Sequence, residues 1–397
     1  MYKTLTLRRG KTESLRRFHP WVFSGALKMP LPEGLTEGEP VRVVSHDGEF
    51  LAVGHYQIGS ISVRVLSFED EEINDDFWRR RLAEAFHVRR MLPFFSRKDL
   101  PTDIHRLVHG EGDRLPGLVI DRYDQTAVIQ AHSVGMHLER HAIARALAEV
   151  SEGLIRNVYY KSETTLPYKA ALTEKEGYLV GGSAGEHIAT EQGLRFHIDW
   201  LSGQKTGFFV DQRDNRRLLE QFSSGRNVLN MFCYTGGFSV YALRGGAKRV
   251  VSVDASEKAI ELTRANVELN FPGETRHEAF AEDAFHFLGH SGTDFDLVIL
   301  DPPAFAKHLS AVRNALKGYT RLNHAALSRM PAGSVLFTFS CSQAVSPSQF
   351  RLAVFTAAAQ ARRHVRILHQ LHQPADHPVN IYHPEGEYLK GLVLEVE

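Results

Sequence analysis

One stretch, Asn227 to Asp254, leaves few folds open: N-V-L-N-M-F-C-Y-T-G-G-F-S-V-Y-A-L-R-G-G-A-K-R-V-V-S-V-D. Val228 to Phe232 is a short apolar run of the kind that makes a fully buried strand. Cys233 to Gly237 must then turn tightly, because Gly236 and Gly237 tolerate positive φ and the close approach of a backbone or a ligand. Phe238 to Leu243 predicts a helix stopped by Gly245-Gly246, and Arg249 to Val253 a second buried strand ending on Asp254. Strand, glycine turn, helix, strand and terminal acid make the first half of a nucleotide-binding βαβ unit, with Asp254 placed for a ribose diol.

The missing spacings narrow the nucleotide. A dinucleotide asks for G-x-G-x-x-G, and a P-loop asks for G-x-x-x-x-G-K-[ST]. The turn here, C-Y-T-G-G-F, has neither. S-adenosylmethionine carries a ribose and an adenine but no phosphate, so a glycine turn followed by a ribose-binding acid is what it requires. On this stretch alone a doubly wound α/β protein without that cofactor fits equally well.

The 397 residues suffice for about two or three domains with their own cores. Val41–Val44, Phe50–Tyr56 and Ile61–Leu66 alternate like strands of a small β domain, while Asp75 to about Phe95 predicts a helix. Leu118–Asp121 with Ala127–Gln130 predicts a hairpin, and His137 to Val150 a further helix. Two cysteines exclude a disulfide framework or a Cys-rich metal site. His137 and His141 stand four apart without a His-Glu-x-x-His, so no metal is expected. No apolar run has the length of a membrane span and the N-terminus has no signal-peptide core, so a cytoplasmic protein is expected.

Charge is balanced at 47 basic and 47 acidic residues, which argues against a bulk polyanion binder but not against a local basic face. Up to Lys28 the chain carries Lys3, Arg8, Arg9, Lys11, Arg16, Arg17 and Lys28 against one acid, Glu13. Such an excess suits phosphate contacts, and it equally suits a solvated arm. His19-Pro20-Trp21-Val22-Phe23 sets aromatics beside it, as an RNA surface or as plain core.

Beyond Asp254 the strand–helix alternation continues. Asp283 follows a third strand and is placed to accept the adenine amino group; Phe295 to Leu300 is a fourth strand ending in Asp301-Pro302-Pro303-Ala304-Phe305; Val335 to Phe339 is a fifth, ending in Ser340-Cys341-Ser342. Ligands of open α/β sheets bind beyond the carboxyl ends of the strands, where the Gly236 turn, Asp254, Asp283, Asp301 and Cys341 all fall. Ahead of them, Gly203-Gln204-Lys205-Thr206-Gly207 reads as a flexible loop that either covers the cofactor, offering Lys205 or Arg213 to a carboxylate, or simply links domains.

Two prolines after Asp301 stiffen the loop and remove two N–H groups, so carbonyls and the carboxylate face a planar base edge on which Phe305 can stack. Methyl transfer to a nucleobase fits that arrangement. A ring or exocyclic nitrogen needs only its lone pair, whereas carbon 5 of a pyrimidine needs a thiolate added at C6 to make it nucleophilic. Cys341 stands where that thiolate is required, with Asp301 for N3; a small buried hydrophobe is the other reading of a lone cysteine. Cys233, in the cofactor turn, is the weaker nucleophile.

With these residues in hand, the chain resembles the large-subunit ribosomal RNA cytosine-C5 methyltransferase I family. The resemblance rests on His19–Phe23, Gly110-Glu111-Gly112-Asp113 with Leu115–Leu118, Gly203–Phe208, Phe232–Phe238, Asp301–Lys307, Ser340–Ser342 and Glu387–Leu392, in order over essentially the whole chain. It implies an N-terminal PUA-like RNA-binding β-barrel (1–72), a middle α+β domain (73–195) and a C-terminal Rossmann-like class I methyltransferase domain (196–397). It implies Cys341 as nucleophile with Asp301, and S-adenosylmethionine held by Phe232, Tyr234, Thr235, Gly236, Gly237, Asp254, Asp283, Asp301 and Arg213. It implies large-subunit ribosomal RNA as partner, contacted by Pro302, Pro303, Phe305, Lys307, Arg8, Lys11, Arg16 and Arg17, with no membrane and with a homodimer left open. The alternative is guanine N2 or N7 methylation on the same fold, which does without the cysteine.

Overall fold

The alternating runs of the first seventy residues pair as their pattern demands. β1 (Lys3–Thr6), α1 (Glu13–Arg16), β2 (Trp21–Phe23), β3 (Pro40–Val44), β4 (Phe50–Tyr56) and β5 (Ile61–Ser67) give a sheet of order β1-β3-β4-β5-β2. Leu5, Val41, Val43, Leu51, Val63 and Val65 point to one side and form its core. The computed structural model of the chain describes residues 2–166, 176–182, 185–306 and 308–397, which form two units. Unit 1 is Met1–Gly193 with Ile198–Val210 and Ala375–Gly386; unit 2 is Leu194–His197, Asp211–Pro374 and Glu387–Glu397.

The rest of unit 1 is α2 (Asp75–Arg90), α3 (Pro93–Ser96), β6 (Ile104–His109), β7 (Leu118–Tyr123), β8 (Thr126–Ala131), α4 (Val134–Leu138), α5 (Arg140–Val150), β9 (Asn157–Tyr160), β10 (Gly177–Val180) and β11 (Ile188–Glu191). Its second sheet runs β10-β9-β8-β7-β6. The Asn74 side chain caps α2 by accepting from the Phe77 N–H, and Phe77, Trp78, Leu82, Ala85 and Phe86 face the core. The helix expected to reach Phe95 stops at Arg90. Pro93 has no N–H and its ring would meet the carbonyl four residues back, so it opens α3 instead. The helix expected from His137 starts earlier, at Val134, because the Ser133 side chain accepts from the Met136 N–H, and it breaks at Glu139.

Unit 2 holds β12 (Leu194–His197), α6 (Arg213–Phe222), β13 (Asn227–Met231), α7 (Gly237–Arg244), β14 (Arg249–Asp254), α8 (Glu257–Asn270), β15 (His277–Ala281), α9 (Ala284–His290), β16 (Leu297–Leu300), α10 (Val312–Leu327), β17 (Ser334–Ser340), α11 (Pro347–Gln360), β18 (Val365–His372) and β19 (Lys390–Val396). The large sheet runs β15-β14-β13-β16-β17-β19-β18, parallel up to β17, with β19 antiparallel to both neighbours. This is a doubly wound sheet with one antiparallel strand near its edge. Parallel strands covered on both faces are largely apolar, and every residue of β16 and β17 is buried, including Ser334, Thr338 and Ser340 of β17. Among the described residues no helix is long and apolar enough to cross a membrane.

Candidate cofactor and catalytic site

Chain order reverses between β13 and β16, and the loops leaving these neighbours part there. That crevice is where an open α/β sheet binds its ligand. Three residues of the turn after β13 take left-handed backbone: Phe232 (φ 59°), Tyr234 (φ 48°) and Gly236 (φ 76°). For side chains other than glycine each such residue costs on the order of 1–3 kcal/mol, so the surroundings must enforce it. They do. The Tyr234 N–H donates to Asp254 Oδ2 (3.0 Å), the Thr263 hydroxyl to the Tyr234 carbonyl (2.9 Å), and Asn266 Nδ2 to the Thr235 carbonyl (2.8 Å). At about 0.5–1.5 kcal/mol net apiece, these bonds are of the size needed to hold the strain.

Gly236 cannot be replaced without movement. A Cβ there would stand 2.6 Å from Thr263 Cγ2, on a backbone that side chains rarely adopt. Gly236→Ala is therefore expected to weaken S-adenosylmethionine binding at least about tenfold, since a left-handed alanine alone costs roughly 1–2 kcal/mol. Isothermal titration would measure it; unchanged affinity would show that the turn tolerates a side chain.

The cradle suits a ribose. Asp254, half-buried at the end of β14, accepts one N–H on each carboxylate oxygen, from Tyr234 (3.0 Å) and from Ser256 (3.0 Å). A carboxylate has about four lone-pair sites, so two remain for a diol. Asp254 pairs with Ala281 across β14 and β15, and the exposed Asp283 follows two residues on. Asp283 accepts from the His286 N–H (2.9 Å) and so caps α9. Thr235, Gly236 and Gly237 are buried, and Phe232 and Tyr234 half-buried. Arg213 is buried at the start of α6, its Nε 3.3 Å from Asp214 Oδ1.

Asp301 and Cys341 leave adjacent parallel strands, with Leu300 opposite Thr338 in the register. Cys341 is half-buried, and its Sγ lies 3.9 Å from the Pro302 carbonyl oxygen. Asp301 is half-buried, and removal of its carboxyl from water pushes it up to about 7; the neighbouring Asp211 charge adds to this. A hydrogen bond from Gln212 Nε2 (3.0 Å) and the charge of Arg216 pull the other way. Asn215 Nδ2 donates to Gln212 Oε1 (2.6 Å) and fixes that amide, while the Tyr388 hydroxyl donates to Asp211 Oδ2 (2.7 Å).

Cys341 is framed by hydroxyls. Ser340 Oγ donates to the Tyr319 hydroxyl (2.9 Å), which also meets Ser342 Oγ (2.8 Å). Lys390 donates to the carbonyls of Ser342 and Val345, each at 2.6 Å. Burial pushes its ammonium down to about 8, opposed by the charge of Cys341. The other thiol, Cys233, is buried, and burial together with Asp254 pushes it up to about 12, which disables it as a nucleophile at neutral pH.

In the loop, Pro302 is buried, Pro303 exposed, and Phe305 half-buried with its ring 4.7 Å from that of Tyr319. Lys307 lies outside the described residues. Arg8, Lys11, Arg16 and Arg17 are exposed in unit 1; Arg8 Nε donates to the Leu27 carbonyl (2.9 Å), Arg16 pairs with Glu49 and Arg17 with Glu13. The Gly203–Gly207 loop, read as flexible, is pinned. Thr206 Oγ1 donates to Asp121 Oδ2 (2.6 Å) and meets the Tyr123 hydroxyl (2.8 Å), and a Cβ at Gly207 would lie 2.9 Å from the Asp199 carbonyl. His137, considered for a metal, meets the Tyr160 hydroxyl through Nδ1 (2.6 Å) in the interior. Sequence reasoning missed Asp211, Gln212, Arg216, Tyr319 and Lys390. Only Lys390 carried a signal, as part of a matched motif to which no chemistry had been attached.

The chain is similar to known proteins over nearly its whole length. A family model described as S-adenosylmethionine-dependent methyltransferase matches residues 107–385, and one described as PUA-like domain matches residues 5–68. "Ribosomal RNA large subunit methyltransferase I" of Tolumonas auensis is 39% identical over 402 residues, covering 99% of each chain. The protein of the same name from Aeromonas hydrophila is 39% identical over 401 residues, again with 99% of each covered. A solved structure described as a candidate SAM-dependent methyltransferase from Streptococcus mutans superposes with a TM-score of 0.83 at 22% identity, covering 99% of this chain and 100% of its own. Another, a methyltransferase complexed with SAH, gives 0.84 at 23% with the same coverage; at these identities the likeness is one of fold.

Proposed function

The chain belongs to the ribosomal RNA large subunit methyltransferase I family, and from that premise we propose that it makes 5-methylcytosine in large-subunit (23S) rRNA through a covalent adduct of Cys341. It is an S-adenosylmethionine-dependent rRNA methyltransferase with an N-terminal PUA-like domain. When bound, S-adenosylmethionine supplies an electrophilic methyl group. The turn Phe232 to Gly237 shapes its seat, Asp254 takes the ribose hydroxyls, Asp283 the adenine amino group, and Arg213 and Asp301 complete the enclosure. Residues 1–72 serve RNA binding, 73–195 form the middle domain, 196–397 carry the chemistry, and the enzyme works in the cytoplasm.

The observation that carries the reading is a half-buried thiol 3.9 Å from the Pro302 carbonyl, one strand away from an acid that holds its proton near neutrality. The Cys341 thiolate bonds to C6 of a cytosine placed against Pro302, Pro303 and Phe305. The C5–C6 π electrons move toward C4 and N3, and Asp301 gives its proton to N3. C5 is then an enamine carbon that would attack the methyl group, the carbon–sulfur bonding pair of the sulfonium staying on its sulfur as the neutral thioether leaves. The C5 proton would pass to solvent, its electron pair would re-form the C5–C6 double bond and expel the Cys341 thiolate, and the N3 proton would return to Asp301. Lys390 keeps positive charge beside the sulfur, which favours its thiolate form.

RNA containing 5-fluorocytidine tests this, because fluorine at C5 cannot leave as a proton. A cofactor-dependent covalent protein–RNA adduct is expected on denaturing gels, lost in Cys341→Ala. Methyl transfer to a guanine without any adduct, seen by mass spectrometry of the RNA, would overturn it.

A further inference from the structure

Unit 1 carries an aromatic face that its core does not use. Phe18, Phe23 and Tyr382 are 48%, 47% and 50% exposed. The Phe18 ring lies 5.4 Å from that of Tyr382 and 5.2 Å from that of Phe68, and Trp21 lies 4.3 Å from His383 and 6.2 Å from Phe23. Phe18 itself is held at φ 59°, a strained backbone for a bulky residue.

Tyr382 and His383 of this face come from the segment Ala375–Gly386, far away in sequence, and the matched motif Gly110–Asp113 explains how it is held. Asp113 pairs with the buried Arg89, whose Nη2 also donates to the Asp376 carbonyl (2.7 Å). The Asp376 carboxylate accepts from the Arg106 N–H (3.0 Å). A Cβ on Gly112 would fall 1.9 Å from the Pro378 carbonyl oxygen, so only glycine admits the segment. Glu111 accepts from Trp21 Nε1 (2.8 Å) and Arg64 Nη1 (3.1 Å), and its carbonyl lies 3.4 Å from Asn380 Nδ2.

We propose that this face is a stacking platform for unpaired bases of RNA, and that the C-terminal segment supplies part of it through Tyr382. The inference rests on the rRNA reading above and names where the RNA lies. Charge selects the occupant: up to Lys28 the chain has seven basic residues against one acid, Arg17 precedes Phe18, and Arg8, Arg9 and Lys11 are exposed on the same segment, although Arg17 is shared with Glu13 and Arg16 with Glu49. Exposed rings on a cationic segment suit bases on a phosphate backbone, whereas the centre of a protein interface is depleted of charge.

The test is fluorescence anisotropy with a labelled unstructured RNA of about a dozen nucleotides, on the full chain. Phe18→Ala and Tyr382→Ala should each weaken binding at least about fivefold, the low end for loss of one stacked base, with S-adenosylmethionine affinity unchanged. Tyr382→Phe should restore binding. Variants that bind RNA as well as the parent would overturn the platform and leave the enzyme reading intact. So would a double variant that changes only the sedimentation coefficient, which would make the face an interface between copies. A parent chain that binds no RNA and methylates none would fail both readings at once.

Discussion

Cys341→Ala is expected to lower methyl transfer to rRNA by a factor on the order of 10⁴ or more, as loss of a covalent nucleophile does elsewhere. The cost is chemical. Without a bond at C6, carbon 5 remains part of an aromatic ring and has no electron pair to offer. The fold should survive, because Cys341 is half-buried and the bonds around it belong to its neighbours Ser340, Ser342 and Tyr319. Transfer of labelled methyl groups, with S-adenosylmethionine affinity as the control, separates the two. Substantial residual transfer by a variant that binds cofactor normally would return the enzyme to nitrogen chemistry.

Asp301→Asn should cost on the order of 10²–10⁴ in kcat/KM and should also change the shape of its pH dependence. The parent carboxyl, raised from its ordinary value to about 7, is half protonated at neutrality and largely protonated below it, the form that can donate to N3. Activity should therefore fall as pH rises through about 7, and the asparagine variant should lack that alkaline limb. Stability follows the same sign. Because the folded pKa lies above the unfolded one, this group's contribution is complete below the ordinary carboxylate range and is lost as pH rises through about 7. Melting temperatures of parent and variant should diverge in the variant's favour between acid and neutral pH. An unchanged alkaline limb in Asp301→Asn would assign it to another group.

The parallel strands were legible because burial on both faces leaves a simple mark, an unbroken apolar run such as Leu297–Leu300. Helix ends were less so: the α2 stop depended on Pro93, a local signal overlooked within a long apolar pattern. Gly236 could be named as a turn residue from its type, but not the Thr263 methyl that forbids a side chain there.

The order of strands and helices, the glycine turn, and the acids and thiol at strand ends could all be read along the chain, because backbone periodicity and residue type are properties of chain neighbours. Folding in three dimensions was needed to bury the Asp301 carboxyl beside Asp211, Gln212 and Arg216, to set the Lys390 ammonium within reach of the Cys341 charge, and to join Tyr382 to Phe18. Desolvation and charge depend on distance in space, and no pattern along the chain records which remote residues folding will bring within a few ångströms.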